Sequence, residues 1–271
     1  MSRPPWVEQA TVWLAPSQVG LLLRRRGWRS AWEAHAQAVP GAAQGDGAHV
    51  AHAALHALER LAAVAAPAQA RARIVLSNRF VRWTLLPDGR ALRNATERAL
   101  AARALLRGVH GEAVDGWQLA VDDQAVDRVP AVALDAAWLE LLQRRARHAG
   151  LTPLSVRPLL ALAAAQAWHA LAGQGWLLVT EPDGAVLARI AAPGGWQSLR
   201  SLAFDGTAAA EALLPWLARC ALLDGLEPDA LPLVHVDWQG LGAPGPAPAW
   251  TEALRPAGWR VQALALDPQR C

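Results

Sequence analysis

The sequence predicts an α/β protein of two lobes that share one order of elements. Three observations predict it. Each half reads as three strand-like runs followed by a helix, a strand, a helix and a strand. Turn residues stand where the hairpins need them. The 271 residues, 53% apolar and 18% charged, are enough to bury two modest cores. Lobe one is expected over residues 1–157, with an insertion at about 80–134, and lobe two over 158–271.

The first half opens with Thr11 to Leu14, a turn at Ala15-Pro16-Ser17-Gln18, and a second run from Val19 to Arg24. Arg26-Gly27 offers another turn, and Trp28 to Val39 can hold a third strand. A helix follows from about Ala48 to Ala65, with Val50, Ala54, Leu58 and Leu61 on one face and Glu59 and Arg60 opposite. Arg73 to Ser77 reads as the next strand, and Phe80 to Leu86 is expected to pair with it through Ser77-Asn78-Arg79. Asn94, with Glu97 three residues on, signals a helix start. Trp117 to Val121 and Val129 to Leu134 read as strands, and Asp135 caps a helix ending at Gly150. Leu154-Ser155-Val156 closes this half.

In the second half Pro158 primes a helix. Trp176 to Thr180, Ala185 to Ala191 and Trp196 to Phe204 form a meander, turning at Glu181-Pro182-Asp183-Gly184 and Ala192-Pro193-Gly194-Gly195. A helix over Thr207 to Leu223 contains Pro215, which must kink it or delay its start. Leu233 to Val236, a Gly/Pro loop over Gly240 to Pro248, a short helix near Glu252 and Trp259 to Leu266 complete the chain. The order is βββαβαβ, and removing Phe80 to Leu134 leaves the same order in the first half.

Composition excludes several classes. No lysine occurs, so P-loop and Schiff-base chemistry are out. All positive side chains are Arg, which raises the pI to 9.9 while the net charge is only +3. The high pI therefore reflects Arg in place of Lys and not a nucleic-acid footprint. The longest apolar run, Pro158 to Ala172, is shorter than the roughly 20 residues a membrane span needs. The N-terminus lacks a signal-peptide core, so cytosolic residence is expected. Cys220 and Cys271 are too few for a disulfide framework, and Cys220 falls on an apolar helix face.

The segment from Ile74 to Pro87 resembles a strand pair of actin-like assembly proteins of bacterial pilus and secretion machines, the PilM and GspL-cytoplasmic-domain type. Leu151 to Pro158 and the meander with Gly195-Trp196 are similar to the passage into, and the start of, that family's second lobe. The resemblance implies two ribonuclease H-like lobes in an actin-like arrangement. It further implies a cytoplasmic scaffold at the inner face of the inner membrane. Such a scaffold binds the short cytoplasmic tail of an inner-membrane assembly protein, helps couple a motor ATPase, and is open to self-association. GspL adds a membrane helix and a periplasmic domain, so the free-standing PilM-like role is the expected one.

Actin-like ATPases hold metal and phosphate with an acidic residue and Gly in the first hairpin and a second such loop in lobe two. Here the first hairpin, Leu14 to Gly20, has no carboxylate to hold Mg²⁺. Thr180 to Gly184 has acid and glycine, but a Pro-Asp-Gly hairpin turn accounts for it. Asp237 ends a strand, where ligands gather in open α/β sheets, yet Trp238 follows and the expected glycine pair is missing. A silent nucleotide site is therefore expected, with no catalytic, cofactor-binding or metal-ligating residue assigned and no cofactor. The competing readings are an active actin-like ATPase or phosphotransferase, and a basic nucleic-acid-binding module on a ribonuclease H-like fold.

Other groups have plainer explanations. His49, His52 and His56 share the polar helix face with Glu59 and Arg60. His169 and His235 sit in apolar surroundings and are expected to be core residues with hydrogen bonds. Arg144, Arg145, Arg147 and His148 close a helix, where cations suit the dipole. For a partner surface the inserted strand offers Arg79, Arg82 and Trp83, residue types enriched at interfaces. The alternative is that Trp83 packs with Val81 and Leu85 on a buried strand face.

Overall fold

The computed structural model describes residues 9–25, 31–40, 47–65, 69–87, 89, 91–92, 94–122, 127–171, 173–191, 195–204, 209–239 and 249–267. Two five-stranded sheets of the same topology organise them. The first contains β1 (Gln9–Leu14), β2 (Gln18–Arg25), β3 (Ala31–Ala38), β4 (Ala70–Leu76) and β8 (Leu151–Pro158) in the order β3-β2-β1-β4-β8. The second contains β9 (Gly175–Glu181), β10 (Gly184–Ala191), β11 (Gly195–Ala203), β12 (Pro232–Asp237) and β13 (Arg260–Ala263) in the order β11-β10-β9-β12-β13. In each, the first three strands form an antiparallel meander and the last two run parallel to its first strand. Short turns permit the antiparallel pairs, whereas the parallel pairs need helical crossovers.

Helix α1 (Gly47–Ala65) makes the first crossover, and its Val50, Ala54, Leu58 and Leu61 are all buried, as their spacing requires. Ala54, Leu58 and Leu61 pack with Val12, Leu14, Leu21 and Ile74 and with Trp138 and Leu142 of α3 (Ala136–His148). In the second sheet α5 (Ala209–Leu223) sets Leu213, Leu217 and Cys220 against Trp176, Leu178 and Leu187. Pro215 lies inside this helix on its exposed side, without delaying the start. The short α6 (Ala249–Leu254) precedes β13. The loop at Gly240 to Pro248, Arg26-Gly27 and Trp28, and most of the Ala192 to Gly195 turn lie outside the described residues.

Between β4 and α3 a third unit is inserted. It comprises β5 (Arg82–Leu86), α2 (Ala95–His110), a 3-10 turn at Gly111–Gly116, β6 (Trp117–Val121) and β7 (Val129–Asp135), with strand order β5-β7-β6. Asn94 caps α2 by accepting from the Glu97 N–H at 2.9 Å, and Asp135 caps α3 by accepting from the Trp138 N–H at 2.7 Å. The expected pairing of Phe80 to Leu86 with the preceding strand is not what forms. A strand has two edges, and both edges of β4 are occupied, by β1 and β8. β5 therefore crosses out of the sheet and pairs antiparallel with β7.

Helix α4 (Leu159–Ala167) runs between the lobes. Leu159, Leu160, Leu162, Ala163 and Ala167 are buried in one apolar cluster with Trp13 and Val75 of the first sheet and Val179, Val234 and Trp238 of the second lobe. The segment after β13 is tied to it: Gln166 Nε2 donates to the Asp267 carbonyl, and the Asp267 N–H donates to Gln166 Oε1, each at 2.8 Å. His169, expected in the core, is exposed just beyond the helix. No helix among the described residues is long and apolar enough to cross a membrane.

Candidate functional site: the clasped cleft and the recess beside it

The cleft forms where the C-terminal ends of the two central strands meet, because β1 and β9 each lead into a tight turn facing the other lobe. From the first lobe comes the turn after Leu14, and from the second the Pro182-Asp183 turn joining β9 to β10. The two turns bond to each other. Ser17 donates from its N–H (3.2 Å) and its hydroxyl (2.8 Å) to Asp183 Oδ2. Gln18 Nε2 donates to the Gln239 carbonyl at 2.6 Å. Beneath them the Trp13 and Trp238 rings meet edge to face, centroids 5.4 Å apart, both buried.

A second pair lies deeper. Glu181, 3% exposed, accepts through Oε1 from the backbone N–H (3.0 Å) and side-chain amide (2.7 Å) of Asn78. Among the described residues, Glu181 Oε2 has no hydrogen-bond partner. Burial pushes this carboxyl up to about 7; the Asp183 charge adds to the rise, and the polar groups of Ser77 and Asn78 oppose it. Asn78 Oδ1 accepts from the Leu160 N–H at 3.1 Å and from Trp83 Nε1 at 3.3 Å. Pro158 has no side chain able to cap α4, so Asn78 supplies that cap from the first lobe. One amide thus joins β4's end, the inserted strand, the interlobe helix and lobe two.

On the lobe-two side, Thr180 donates to Asp237 Oδ1 at 2.7 Å, and Gln239 Nε2 donates to the same oxygen at 2.7 Å. His235 Nε2 stands 3.0 Å from Thr180 Oγ1. The hydroxyl has one proton, already directed at Asp237, so the ring is the donor here. Burial holds His235 down at about 4 against the pull of Asp237, which leaves the imidazole neutral at neutral pH.

Arg79, Arg82 and Trp83 are brought together. With Asn78, Glu181 and His110 they line a recess of about 340 Å³ between the insertion and lobe two. Arg79 and Arg82 are exposed and Trp83 is half-buried. Partial burial and the neighbouring Arg79 charge hold the Arg82 guanidinium below its usual value. Trp83 is also a wall of a larger, mainly apolar groove of about 690 Å³, shared with Val132, Pro158, Trp168 and Trp196. Its ring packs against buried core residues while its N–H reaches Asn78, so the buried-face alternative describes part of its surface.

The histidines of α1 stay on its exposed side, where His56 faces Glu59 at 3.5 Å and Glu59 also holds Arg145 at 2.7 Å. Asp122 lies just past β6, where its carbonyl accepts from Arg98, and Asp123 lies outside the described residues. Sequence reasoning missed Ser17, Asn78, Glu181 and Asp183 as an interlobe set. Their only signal was polar side chains directly following strongly apolar strands.

No family model and no curated protein sequence matches the chain. Solved structures do. The cytoplasmic domain of EpsL, an inner membrane component of the type II secretion system of Vibrio cholerae, is similar over 97% of this chain and 92% of its own, at 16% identity and TM-score 0.55. A PilM-PilN type IV pilus biogenesis complex matches over 98% and 93%, at 16% identity and TM-score 0.63. A Bacteroides thetaiotaomicron protein with actin-like ATPase fold and unknown function matches over 95% and 90%, at 9% identity and TM-score 0.60. Two sheets of one topology closed on a shared cleft, with a three-stranded insertion in the first lobe, give this chain the actin-like fold, similar to PilM and the EpsL cytoplasmic domain.

Proposed function

We propose that the chain is a catalytically silent scaffold of a type IV pilus or type II secretion-like machine. It resides in the cytoplasm at the inner face of the inner membrane and binds the short cytoplasmic tail of an inner-membrane partner. Residues 1–157 and 158–271 are its two lobes. The observation that carries this reading is the clasp of Ser17 on Asp183. In an actin-like ATPase these two turns hold metal and phosphate. Here the donor set does not suit a metal-bound triphosphate. The first turn has no carboxylate, Asp183 Oδ2 is taken by Ser17, Asp237 Oδ1 is taken by Thr180 and Gln239, and Trp238 packs on Trp13. The likeness to an inner-membrane secretion component and to a PilM-PilN complex supports the scaffold role.

The tail is seated in the recess of Arg79, Arg82 and Trp83, where two exposed guanidinium groups beside an indole suit an acidic or mixed acidic–apolar segment. Calorimetric titration with Mg-ATP tests the silent cleft: no saturable heat is expected, and saturable heat would establish the ATPase reading instead. Capture of the membrane partner by an Arg79/Arg82/Trp83 triple-alanine variant tests the seat. Loss of capture is expected, and undiminished capture would remove it.

A further inference from the structure

The first sheet has one face turned away from α1 and α3; among the described residues, Trp13, Leu22 and Val75 of that face pack with α4 and lobe two, while Gln9, Arg24, Arg71 and Thr152 are exposed. Register places Trp32, Arg24, Gln9, Arg71 and Thr152 in one row across all five strands. The next row is Ala34, Leu22, Thr11, Arg73 and Ser155. Adjacent strands lie about 4.8 Å apart, so Arg24 and Arg71 flank Gln9 at about 10 Å, and Arg71 and Arg73 are about 7 Å apart along one strand. Arg24 and Arg71 are exposed and Arg73 is half-buried. None of the strand residues in these rows is a carboxylate. Arg24 and Arg71 repel one another across Gln9, since their spacing is comparable to the screening length of about 8 Å.

The same place has an apolar floor. The pairing of β4 with β8 shifts register between Ala72 and Arg73, which leaves Leu154 as the extra residue. A bulge of this kind re-aims a side chain, and Leu154 is 48% exposed. With Gln9, Thr11, Trp32, Arg71 and Arg73 it lines a recess of about 140 Å³.

We propose that this face docks an extended acidic segment of a partner protein, its carboxylates on Arg24 and Arg71 and one apolar side chain in the recess between Trp32 and Leu154. Charge complementarity selects the class: guanidinium groups pair bidentately with carboxylates. A single-stranded nucleic acid fits less well. The Arg24 guanidinium lies over the Trp32 ring, 5.9 Å from its centroid, and covers the face on which a base would stack. The surface is separate from the recess at Arg79, Arg82 and Trp83, so the proposal stands without the tail site.

The test is fluorescence anisotropy on the full chain, with a labelled peptide as probe that carries glutamate at every second position, leucine in place of one of them and serine between, so that acids and leucine share one face when it is extended, and a labelled oligothymidylate beside it. Arg24→Glu/Arg71→Glu and the neutral Arg24→Gln/Arg71→Gln are compared with Arg144→Glu/Arg147→Glu, an equal charge change on α3. Thermal melts establish that each variant is folded. Both site variants should weaken peptide binding by about tenfold or more, and the α3 variant by less than about twofold. Equal losses in all three, or no saturable binding of the peptide, would overturn the proposal. So would an oligothymidylate that binds as tightly and is lost in the same variants, which would make the face a nucleic-acid surface.

Discussion

Glu181 and Asn78 lie 103 residues apart in the chain and are joined by two hydrogen bonds onto a single carboxylate oxygen, 3.0 and 2.7 Å long, in a fully buried part of the cleft. The other oxygen has no hydrogen-bond partner among the described residues. Lobe two is thus held to lobe one through a carboxyl group whose ionisation is opposed by its surroundings.

The consequence is a pH-dependent stability. The folded-state value of Glu181, about 7, lies above the ordinary carboxyl value of 4.5. The group's contribution is fully present below pH 4.5 and is lost as the pH rises through 7. Glu181→Gln keeps an acceptor for Asn78 and removes the ionisation. Urea midpoints should therefore fall between pH 5 and 8 in the parent and change less in the variant, with a gain at pH 8 of up to about 3 kcal/mol. Parallel pH profiles for the two proteins would contradict this.

Trp238→Ala removes the ring that meets Trp13 edge to face. Because both indoles are buried, the variant should lose about 3–5 kcal/mol in chemical denaturation. A loss below about 1 kcal/mol would mean the cleft collapses around the gap.

Gly184 starts β10 where a Cβ would stand 2.6 Å from the Leu202 carbonyl oxygen. The obstacle is backbone held in the β10–β11 ladder, and it cannot swing aside. Gly184→Ala should therefore cost about 1–3 kcal/mol. Gly108→Ala is the comparison, since its added methyl would meet nothing within 4 Å. In the last turn of α2 that change should stabilise slightly.

Asp135→Ala removes the acceptor of the Trp138 N–H at the start of α3. The expected loss is about 1 kcal/mol, with Asp135→Asn recovering most of it. An Asn variant no better than Ala would show that the cap is not what the carboxylate supplies.

Much of the fold was legible because local chemistry wrote it. Asn94 with Glu97, Asp135, the Pro182-Asp183 turn and the spacing of Val50, Ala54, Leu58 and Leu61 each act within a few residues of chain, so periodicity and turn chemistry report them directly. The absence of a carboxylate in the first hairpin was equally readable. The candidate recess was legible only as three residue types, Arg79, Arg82 and Trp83, without their neighbours Glu181 and His110.

The amino-acid order by itself determined which segments become strands and helices, because hydrogen bonding and side-chain spacing within a segment set that choice. Tertiary structure alone decided partners. It sent β5 to β7 because both edges of β4 were filled. It turned Glu181 and Asp183 from hairpin residues into the grip on Asn78 and Ser17. It also gathered Arg24 of β2 and Arg71 of β4 onto one face. These outcomes depend on which surfaces meet across a hundred residues or more, or on which strand edges remain open, and no local pattern carries that information.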